Sequence, residues 1–293
     1  DGHSHYQEQI ERLKDAGVPF ETYDSVFKRN SVLNRKAAMD LRSRFSTLSR
    51  FDVVHAHASV PAKICNLAFC HQHPKPVSIQ TMQGWGLNKT RTMEEDDVKT
   101  MNSLDGVVVL NESGKSLLVS KGVEESLLRI IPNGVSTEIP PVCDLSTEIS
   151  QFLQSRKWDM RFLCVGEVGE RKNQLFLMRA INQLNESGVA CCAVFIGPEQ
   201  IEGYYDECVK ESCADEFCFW TGEVPNASSY MQHFDAVVLP SKSEGMPVSI
   251  IEAFRAKVLV FGSRIPEIEE LLSEQRGVLF DNELTHEFVE RVT

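Results

Sequence analysis

The sequence predicts an α/β protein with two doubly wound domains, each built on a parallel sheet that helices cover on both faces. Two observations predict this class. Short apolar runs rich in β-branched residues alternate along the chain with amphipathic helical stretches, which is the pattern of parallel strands joined by crossover helices. The alternation occurs in two sets, and 293 residues with 42% hydrophobic content suffice for two separate cores.

The first set of elements occupies residues 1–140. A helical pattern over residues 6–16 comes first, and five strand candidates follow. These candidates cover residues 18–23, 51–55, 77–81, 106–110 and 128–131. Asn133-Gly134 then marks a sharp exit from the last strand, because both residues tolerate positive φ. We interpret this pair as a turn that supports no catalytic role.

The second set occupies residues 155–293 and contains six strand candidates. These candidates cover residues 161–165, 190–196, 217–221, 236–239, 258–261 and 277–280. A Pro-Pro pair and several polar residues interrupt both periodicities between residues 134 and 160. This interruption places the hinge between the domains there.

Composition argues against several classes of function. A net charge of -12 disfavours nucleic acid as a partner. The nine cysteines form no CxxC pair, and the spacing of Cys208, Cys213 and Cys218 does not match a structural zinc site, so we expect a reducing, cytoplasmic compartment. The sequence has no run of about 18 apolar residues, so no membrane span is expected. The acidic run over residues 94–97 is typical of a solvated helix start.

Residues 239–253 carry the strongest functional signal. They follow an apolar run and hold Glu244 and Glu252 on either side of a Gly-x-Pro helix start near Gly245. This order predicts a strand, a turn and a helix. The first N–H groups of such a helix are free, and with the helix dipole they favour an anion such as a diphosphate.

The spacing of these two carboxylates favours a long ligand. Eight residues of helix rise about 12 Å, so Glu244 and Glu252 would lie far apart on one broad face. Two glycosidase carboxylates instead converge to about 5–9 Å around one bond. The pair therefore fits the two ends of a nucleotide sugar, with the phosphates over the helix start between them.

A second glycine turn opens the second domain. Gly166 follows a predicted buried strand, and Arg171 and Lys172 precede a helix start at Asn173. Backbone N–H groups and a point charge suit phosphate, so Lys172 is predicted to bind a diphosphate.

These motifs resemble the retaining glycosyltransferases of family 4, which have the GT-B fold. The Glu-x7-Glu spacing, Leu-Pro-Ser before Glu244, Glu-Gly-x-Pro around it and Glu-Ala at residues 252–253 match that family in order. The resemblance implies two Rossmann-like domains that face a cleft, with the donor bound mainly by the second domain and the acceptor by the first. It implies transfer of a sugar from a nucleotide-diphosphate sugar to a glycan, lipid-linked or small-molecule acceptor, as in polysaccharide biosynthesis, without a metal or other cofactor.

The resemblance also implies roles for single residues. Glu244 would contact the donor sugar, and Lys172 would stabilise charge on the leaving diphosphate, so both would be catalytic. Glu252 would accept hydrogen bonds from the ribose hydroxyls. The other donor-side candidates supply backbone N–H groups, a second positive charge or loop contacts: Gly166, Arg171, Ser243, Gly245 and Met246.

The acceptor side is expected in the first domain. Residues 81–86 read Thr-Met-Gln-Gly-Trp-Gly where the family often has Thr-x-His-Gly. Gln83 can hydrogen-bond a sugar hydroxyl but cannot carry a proton. Gly84 and Trp85 are predicted to form a sugar-stacking platform, and His57 could face the cleft from the end of its strand.

Both ends of the family fold are expected to be missing. The chain begins at the glycine loop that follows the family's first strand, which makes Gly2 an acceptor-side candidate. We expect that first strand and the C-terminal crossover helix to be absent, so the chain would be a fragment of a longer enzyme.

Residues 25–51 form a basic amphipathic region in the acceptor half. They contain seven basic side chains and one acidic one, interspersed with apolar residues. Two interpretations are open: a solvated helix face, or peripheral contact with an anionic membrane at its inner face.

Other functions also stay open. A GT-B sugar-nucleotide epimerase would share the fold and the donor pocket. A catalytically incomplete remnant would account for Gln83 and Glu167, which stand where the family has His and Arg. A metal-dependent hydrolase would use the HxH motif of His55 and His57, although no later set of Lys, His and Asp follows at successive strand ends.

Overall fold

The protein is described by a computed structural model over residues 4–20, 29–45, 51–71, 74–138 and 141–293. Two parallel sheets, of four and six strands, carry the helices, which confirms the predicted α/β class. Residues 18–20 of the strand expected at 18–23 have no regular structure, and the rest of that prediction, like Gly2, lies outside the described residues. None of the helices in the described ranges is long and apolar enough to span a bilayer.

The first domain has a sheet in the order β1-β2-β3-β4, with all strands parallel. Its elements are α1 (Ser4–Asp15), α2 (Ser31–Phe45), β1 (Val53–His57), α3 (Ser59–Phe69), β2 (Val77–Thr81), α4 (Arg91–Met101), β3 (Gly106–Val109), α5 (Glu112–Ser120) and β4 (Leu128–Ile130). Each crossover carries a helix, as parallel pairing requires. The loops after β2, β3 and β4 therefore emerge at one edge of the sheet.

The second domain has six parallel strands in the order β7-β6-β5-β8-β9-β10. Its elements are α6 (Thr147–Gln154), β5 (Met160–Val165), α7 (Gln174–Glu186), β6 (Cys191–Ile196), α8 (Tyr204–Ser212), β7 (Cys218–Trp220), β8 (Ala236–Leu239), α9 (Val248–Ala256), β9 (Leu259–Ser263), α10 (Pro266–Leu272), β10 (Val278–Phe280) and α11 (Thr285–Val292). The strand order reverses between β5 and β8. A crevice for ligands is expected at the carboxyl ends of these two strands.

Both faces of the second sheet are buried, which explains the unbroken apolar runs in its strands. Phe162 and Cys164 of β5 point into one core cluster, and Leu163 between them points into the other. Successive side chains of a strand alternate between faces, so a strand between two helical layers needs apolar residues at every position.

The second domain begins before residue 155, where the sequence analysis placed its start. Ile149 of α6 is 1% exposed and belongs to the same core cluster as Leu163. Leu145 and Phe152 pack against that cluster as well. The boundary shifts because α6 is amphipathic and buries its apolar side on the second sheet.

Candidate active site

A cleft of about 590 Å³ lies between the domains, at the carboxyl ends of β5 and β8. The loops after these strands and the start of α9 line it from the second domain. Gln83, Gly84, Gly86 and Asn133 line it from the first domain. Its volume is within the range of small-molecule sites, about 300–1,000 Å³.

Glu244 lines the cleft from the second domain, buried between two cations. Lys172 Nζ donates to its Oε1 at 2.7 Å, and Arg171 Nη1 donates to its Oε2 at 3.2 Å. Arg171 Nη1 also donates to the Ser243 carbonyl at 3.0 Å. The loop after β5 and the loop after β8 are thereby joined at the switch point. Lys172, Arg171, Ser243 and Glu244, which the sequence predicted as separate donor contacts, form one cluster.

Gly166 leaves room for the Lys172 side chain. A Cβ at Gly166 would lie 3.2 Å from Lys172 Cε, and Gly166 has φ +149°. A side chain at residue 166 would therefore crowd the lysine stem. The glycine predicted for the phosphate turn lines the cleft beside this lysine.

The helix that follows Glu244 begins later than the sequence analysis predicted. Residues 245–247 form a loop, and α9 starts at Val248 with Pro247 as its extended N-cap residue (φ -69°, ψ 110°). Glu244 and Glu252 therefore do not share one helix, although both line the cleft. Among the described residues, none accepts a hydrogen bond from the N–H groups of Gly245 or Met246.

Glu252 lies in α9 in a half-buried environment. Burial raises its pKa, an effect that the nearby charge of Arg255 and a hydrogen bond with Ser228 partly offset. Arg255 in turn donates to the Ser136 carbonyl (3.2 Å) and to Ser228 Oγ (3.3 Å). The carboxylate at this end of the cleft therefore neighbours Arg255 and Ser228, and Arg255 is bonded in turn to the segment that joins the two domains.

The loop after β2 makes close contact with the second domain. A Cβ at Gly245 would lie 1.7 Å from the Gln83 carbonyl oxygen, so only glycine fits there. Gln83 Nε2 also lies 3.3 Å from His57 Nδ1, and Gly84 lines the cleft. His57 is exposed and is not among the described residues that line the cleft.

Trp85 faces the first domain. Its Nε1 donates to Glu94 Oε1 at 2.9 Å, and Lys89 Nζ lies 3.6 Å above the ring centroid. Lys89 is held in turn by the buried Asp97 at 2.7 Å. The two neighbouring glycines line the cleft while the indole ring packs under the loop, so its role in sugar stacking stays a prediction.

Two asparagines that were not predicted as site residues join the domains. Asn111 Nδ2 donates to the Gly245 carbonyl at 2.7 Å, and Asn133 Nδ2 donates to the Met246 carbonyl at 3.2 Å. Asn133, interpreted above only as part of a turn, thus has a place in the cleft. Asn111 is the second residue after β3 and the N-cap of α5, and a polar N-cap residue at that edge of the sheet could have indicated a place in the cleft.

The HxH motif forms a histidine stack. The rings of His55 and His57 lie 4.6 Å apart, and His55 Nε2 is 2.7 Å from Thr81 Oγ1. Over the residues with described positions, no three His, Cys, Asp or Glu side chains are grouped closely enough to hold a metal ion.

Part of the basic region at residues 25–51 is neutralised within the fold. Arg29 pairs with Asp97 at 2.6 Å, and Arg42 donates to the carbonyls of Leu67 and Ala68. These arginines anchor α2 and the segment before it to the first domain. The outward face of α2 therefore carries fewer free charges than the composition indicates.

Comparison with known proteins identifies the class. A family model described as "Glycosyltransferase Family 4" matches residues 2–139, and one described as "Glycosyl transferases group 1" matches residues 159–293. Together they cover both domains. The chain belongs to the family-4 glycosyltransferases of GT-B fold.

Individual relatives agree with this assignment. TuaC of Bacillus subtilis (strain 168), a glycosyltransferase provisionally assigned to teichuronic acid biosynthesis, is 30% identical over 247 residues, which are 83% of this chain and 60% of TuaC. The UDP-Gal:alpha-D-GlcNAc-diphosphoundecaprenol alpha-1,3-galactosyltransferase of Escherichia coli is 22% identical over 218 residues, 70% of this chain and 55% of that enzyme. The chain thus spans a little over half the length of these relatives.

A solved structure shows the same fold. HepE of Anabaena, crystallised with UDP and glucose, superposes with a TM-score of 0.74 at 16% identity, over 97% of this chain and 78% of HepE. The two predicted Rossmann-like domains facing a cleft are thereby confirmed as the GT-B arrangement.

Proposed function

We propose that the chain transfers a sugar from a nucleotide-diphosphate sugar to a glycan, lipid-linked or small-molecule acceptor, with retention of the anomeric configuration. The observation that carries this proposal is the cluster of Glu244, Lys172 and Arg171 at the switch point. It lies in a cleft that the first domain completes through Gln83 and Gly84. Two cations and one carboxylate suit a ligand with a diphosphate next to hydroxyl groups.

The diphosphate would lie over the loop that precedes α9. Gly245 and Met246 shortly precede the start of a helix whose dipole favours an anion, and Lys172 and Arg171 supply positive charge in the same cleft. As the bond to the sugar breaks, negative charge grows on the diphosphate. Fixed donors and charges stabilise that change most, so the chemistry needs no metal ion.

Glu244 would bind the donor sugar, and Glu252 the ribose. Glu244 already holds both cations, so its oxygens fix the position of the phosphate ligands while they accept bonds from sugar hydroxyls. Glu252 accepts a bond within the half-buried end of the cleft, where ribose hydroxyls would replace water. Neither carboxylate acts as a nucleophile in this scheme. The acceptor attacks on the face that the diphosphate leaves, and a phosphate oxygen takes the acceptor's proton.

The relatives suggest which substrates to try first. HepE was crystallised with UDP, and the Escherichia coli relative is named for UDP-galactose and a diphosphoundecaprenol acceptor. UDP and UDP-sugars are therefore the first donor probes, with GDP as the comparison.

A lipid-linked acceptor would require contact with a membrane surface, and the outward face of α2 fits that contact. Val32 and Met39 are 73% and 71% exposed, and the exposed Arg35 and Lys36 lie between them. Apolar and basic side chains on one exposed face bind anionic lipid surfaces. Arg35→Glu with Lys36→Glu should abolish co-sedimentation with vesicles that contain phosphatidylglycerol, and unchanged co-sedimentation would remove this part of the proposal.

The test of the proposal has two stages. A thermal-shift screen with UDP and GDP should raise the Tm for one of them, because a ligand that binds only the folded state stabilises it. Incubation with the matching nucleotide sugars and an acceptor should then give a glycoside with the donor's anomeric configuration, which NMR coupling constants report. Epimer formation without acceptor would favour the epimerase instead, and an inverted product would contradict retention.

A further inference from the structure

A second contact between the domains lies at the N-terminus of α5. Glu270 of α10 accepts hydrogen bonds from the backbone N–H groups of Glu112 (Oε1, 3.0 Å) and Ser113 (Oε2, 3.1 Å), the first two residues of α5. Glu270 is half-buried and is not among the described residues that line the cleft. A carboxylate of the second domain thus caps a helix of the first.

Asn111 connects this cap to the loop beside Glu244. Its Oδ1 accepts from the N–H of Gly114 at 2.8 Å, and its Nδ2 donates to the Gly245 carbonyl at 2.7 Å. The first three N–H groups of α5 are therefore satisfied, two by Glu270 and one by Asn111. Asn111, which completes the cap, therefore also holds the loop that contains Gly245.

This cap exists only while the domains are together. When they separate, the N–H groups of Glu112 and Ser113 return to water, and Glu270 loses both partners. Bonds from a helix N-terminus to a carboxylate are charge-assisted and gain from the helix dipole. The contact therefore favours the closed arrangement over an open one.

We propose that Glu270 is a positioning residue that holds the cleft closed. By capping α5 from the opposite domain, it keeps Gly245 against Gln83 and brings the acceptor side into register with the donor side. The effect on turnover rests on the proposed function, whereas the effect on domain closure does not.

The variants are Glu270→Ala, which removes both acceptors, and Glu270→Gln, which keeps one carbonyl oxygen. Glu269→Gln is the matched control, because it makes the same charge change on the same helix at a side chain that is 53% exposed and pairs with Arg264. Closure is read at a contact between the domains that Glu270 does not itself make. The Asn133 N–H bonds to Met246 Sδ across the cleft at 3.2 Å, so its hydrogen exchange reports the domain contact.

Glu270→Ala should speed exchange at Asn133 and increase the radius of gyration in X-ray scattering, with Glu270→Gln between it and the wild type. The Kd for UDP should stay within about twofold, since the donor side lies in the second domain. Transfer kcat should fall about tenfold, equivalent to ~1.4 kcal/mol.

Two results would overturn the proposal. One is that Glu270→Ala matches Glu269→Gln in exchange, scattering and kcat. The other is that it loses UDP binding together with kcat, which would make Glu270 a residue of overall stability. If the wild type turns over no nucleotide sugar, the proposed function fails, and exchange and scattering still decide whether Glu270 holds the domains closed.

Discussion

Lys172 Nζ lies 2.7 Å from Glu244 Oε1, although the two residues are 72 positions apart in the chain. The contact arises because β5 and β8 are neighbours in the sheet, so the loops that follow them meet at one edge. Glu244 is 7% exposed and Lys172 is 14% exposed. The stability and the activity of the protein should therefore both depend on this pair.

Lys172→Met should lower the free energy of unfolding by about 1–3 kcal/mol, because it leaves the buried Glu244 carboxylate with one cation fewer. The double variant Lys172→Met with Glu244→Gln should recover part of this loss, since it also removes the charge. Urea denaturation measures the free energy of unfolding of both variants. Lys242→Met, at an exposed side chain nearby in the sequence, is the control. An equal loss in the control, or no recovery in the double variant, would show that the pair is not coupled.

Gly245→Ala should separate the domains without unfolding them. Its Cβ would lie 1.7 Å from the Gln83 carbonyl oxygen, so the loop after β2 must move away. Transfer should fall at least tenfold while the midpoint of thermal unfolding changes little. Gly134→Ala is a matched control, because a Cβ there has no neighbour within 4 Å. Full activity of Gly245→Ala would mean that the close approach of the two loops is unnecessary for turnover.

Glu252 should make the stability of the protein depend on pH. Burial raises its pKa in the folded state, so the folded chain holds this proton more tightly than the unfolded chain. The free energy of unfolding therefore falls as pH rises from the ordinary Glu value of about 4.3 through the raised pKa. Glu252→Gln removes that penalty and should be more stable than the wild type at pH 7 but not at pH 4.

Urea denaturation at the two pH values measures this difference. Glu290→Gln, on the exposed side of α11, makes the same charge change and serves as the control. A larger destabilisation by Glu252→Gln at pH 7 than at pH 4 would reverse the predicted sign. Glu252→Gln should also weaken binding of a nucleoside diphosphate. A buried carboxylate that lowers stability at pH 7 is expected to be kept for function, which here is the proposed contact with the ribose.

Asn111→Asp should separate the two roles of Asn111. Aspartate caps helices as well as asparagine does, so stability should change by less than about 1 kcal/mol. The substitution removes the donor to the Gly245 carbonyl and places negative charge against it, which should lower transfer about 10- to 100-fold. Asn111→Ala, which loses both functions, should reduce stability as well as activity. Equal turnover in Asn111→Asp and the wild type would contradict a role for the Asn111–Gly245 bond.

The sequence predicted all ten strands that the structure describes, because buried parallel strands are short apolar runs with helical stretches between them. It also indicated Glu244, Lys172 and Glu252 as cleft residues, since glycine and proline mark the turns that follow β5 and β8; all three line the cleft, and their roles stay predictions. The start of α9 was predicted too early because a proline fits both the first turn of a helix and the N-cap position that Pro247 takes.

Other features depend on which residues become neighbours in the folded structure, and a single sequence does not show this. The ion pair between Lys172 and Glu244 requires the strand order β5-β8, which composition and periodicity leave open. Trp85 packs toward Lys89 because that lysine is anchored by Asp97, in a different element. Glu270 has no signal of its own in the sequence, since its partners are backbone groups of the other domain.

In the proposed complex, a diphosphate lies over the loop at Gly245 and is held by Lys172. Calorimetric titration of UDP, GDP and their nucleosides against the wild type and Lys172→Ala tests this binding mode. For the base that binds, we predict that Lys172→Ala weakens the nucleoside diphosphate at least tenfold and leaves the affinity for the nucleoside unchanged. Equal affinity of both proteins for the diphosphate would contradict this binding mode.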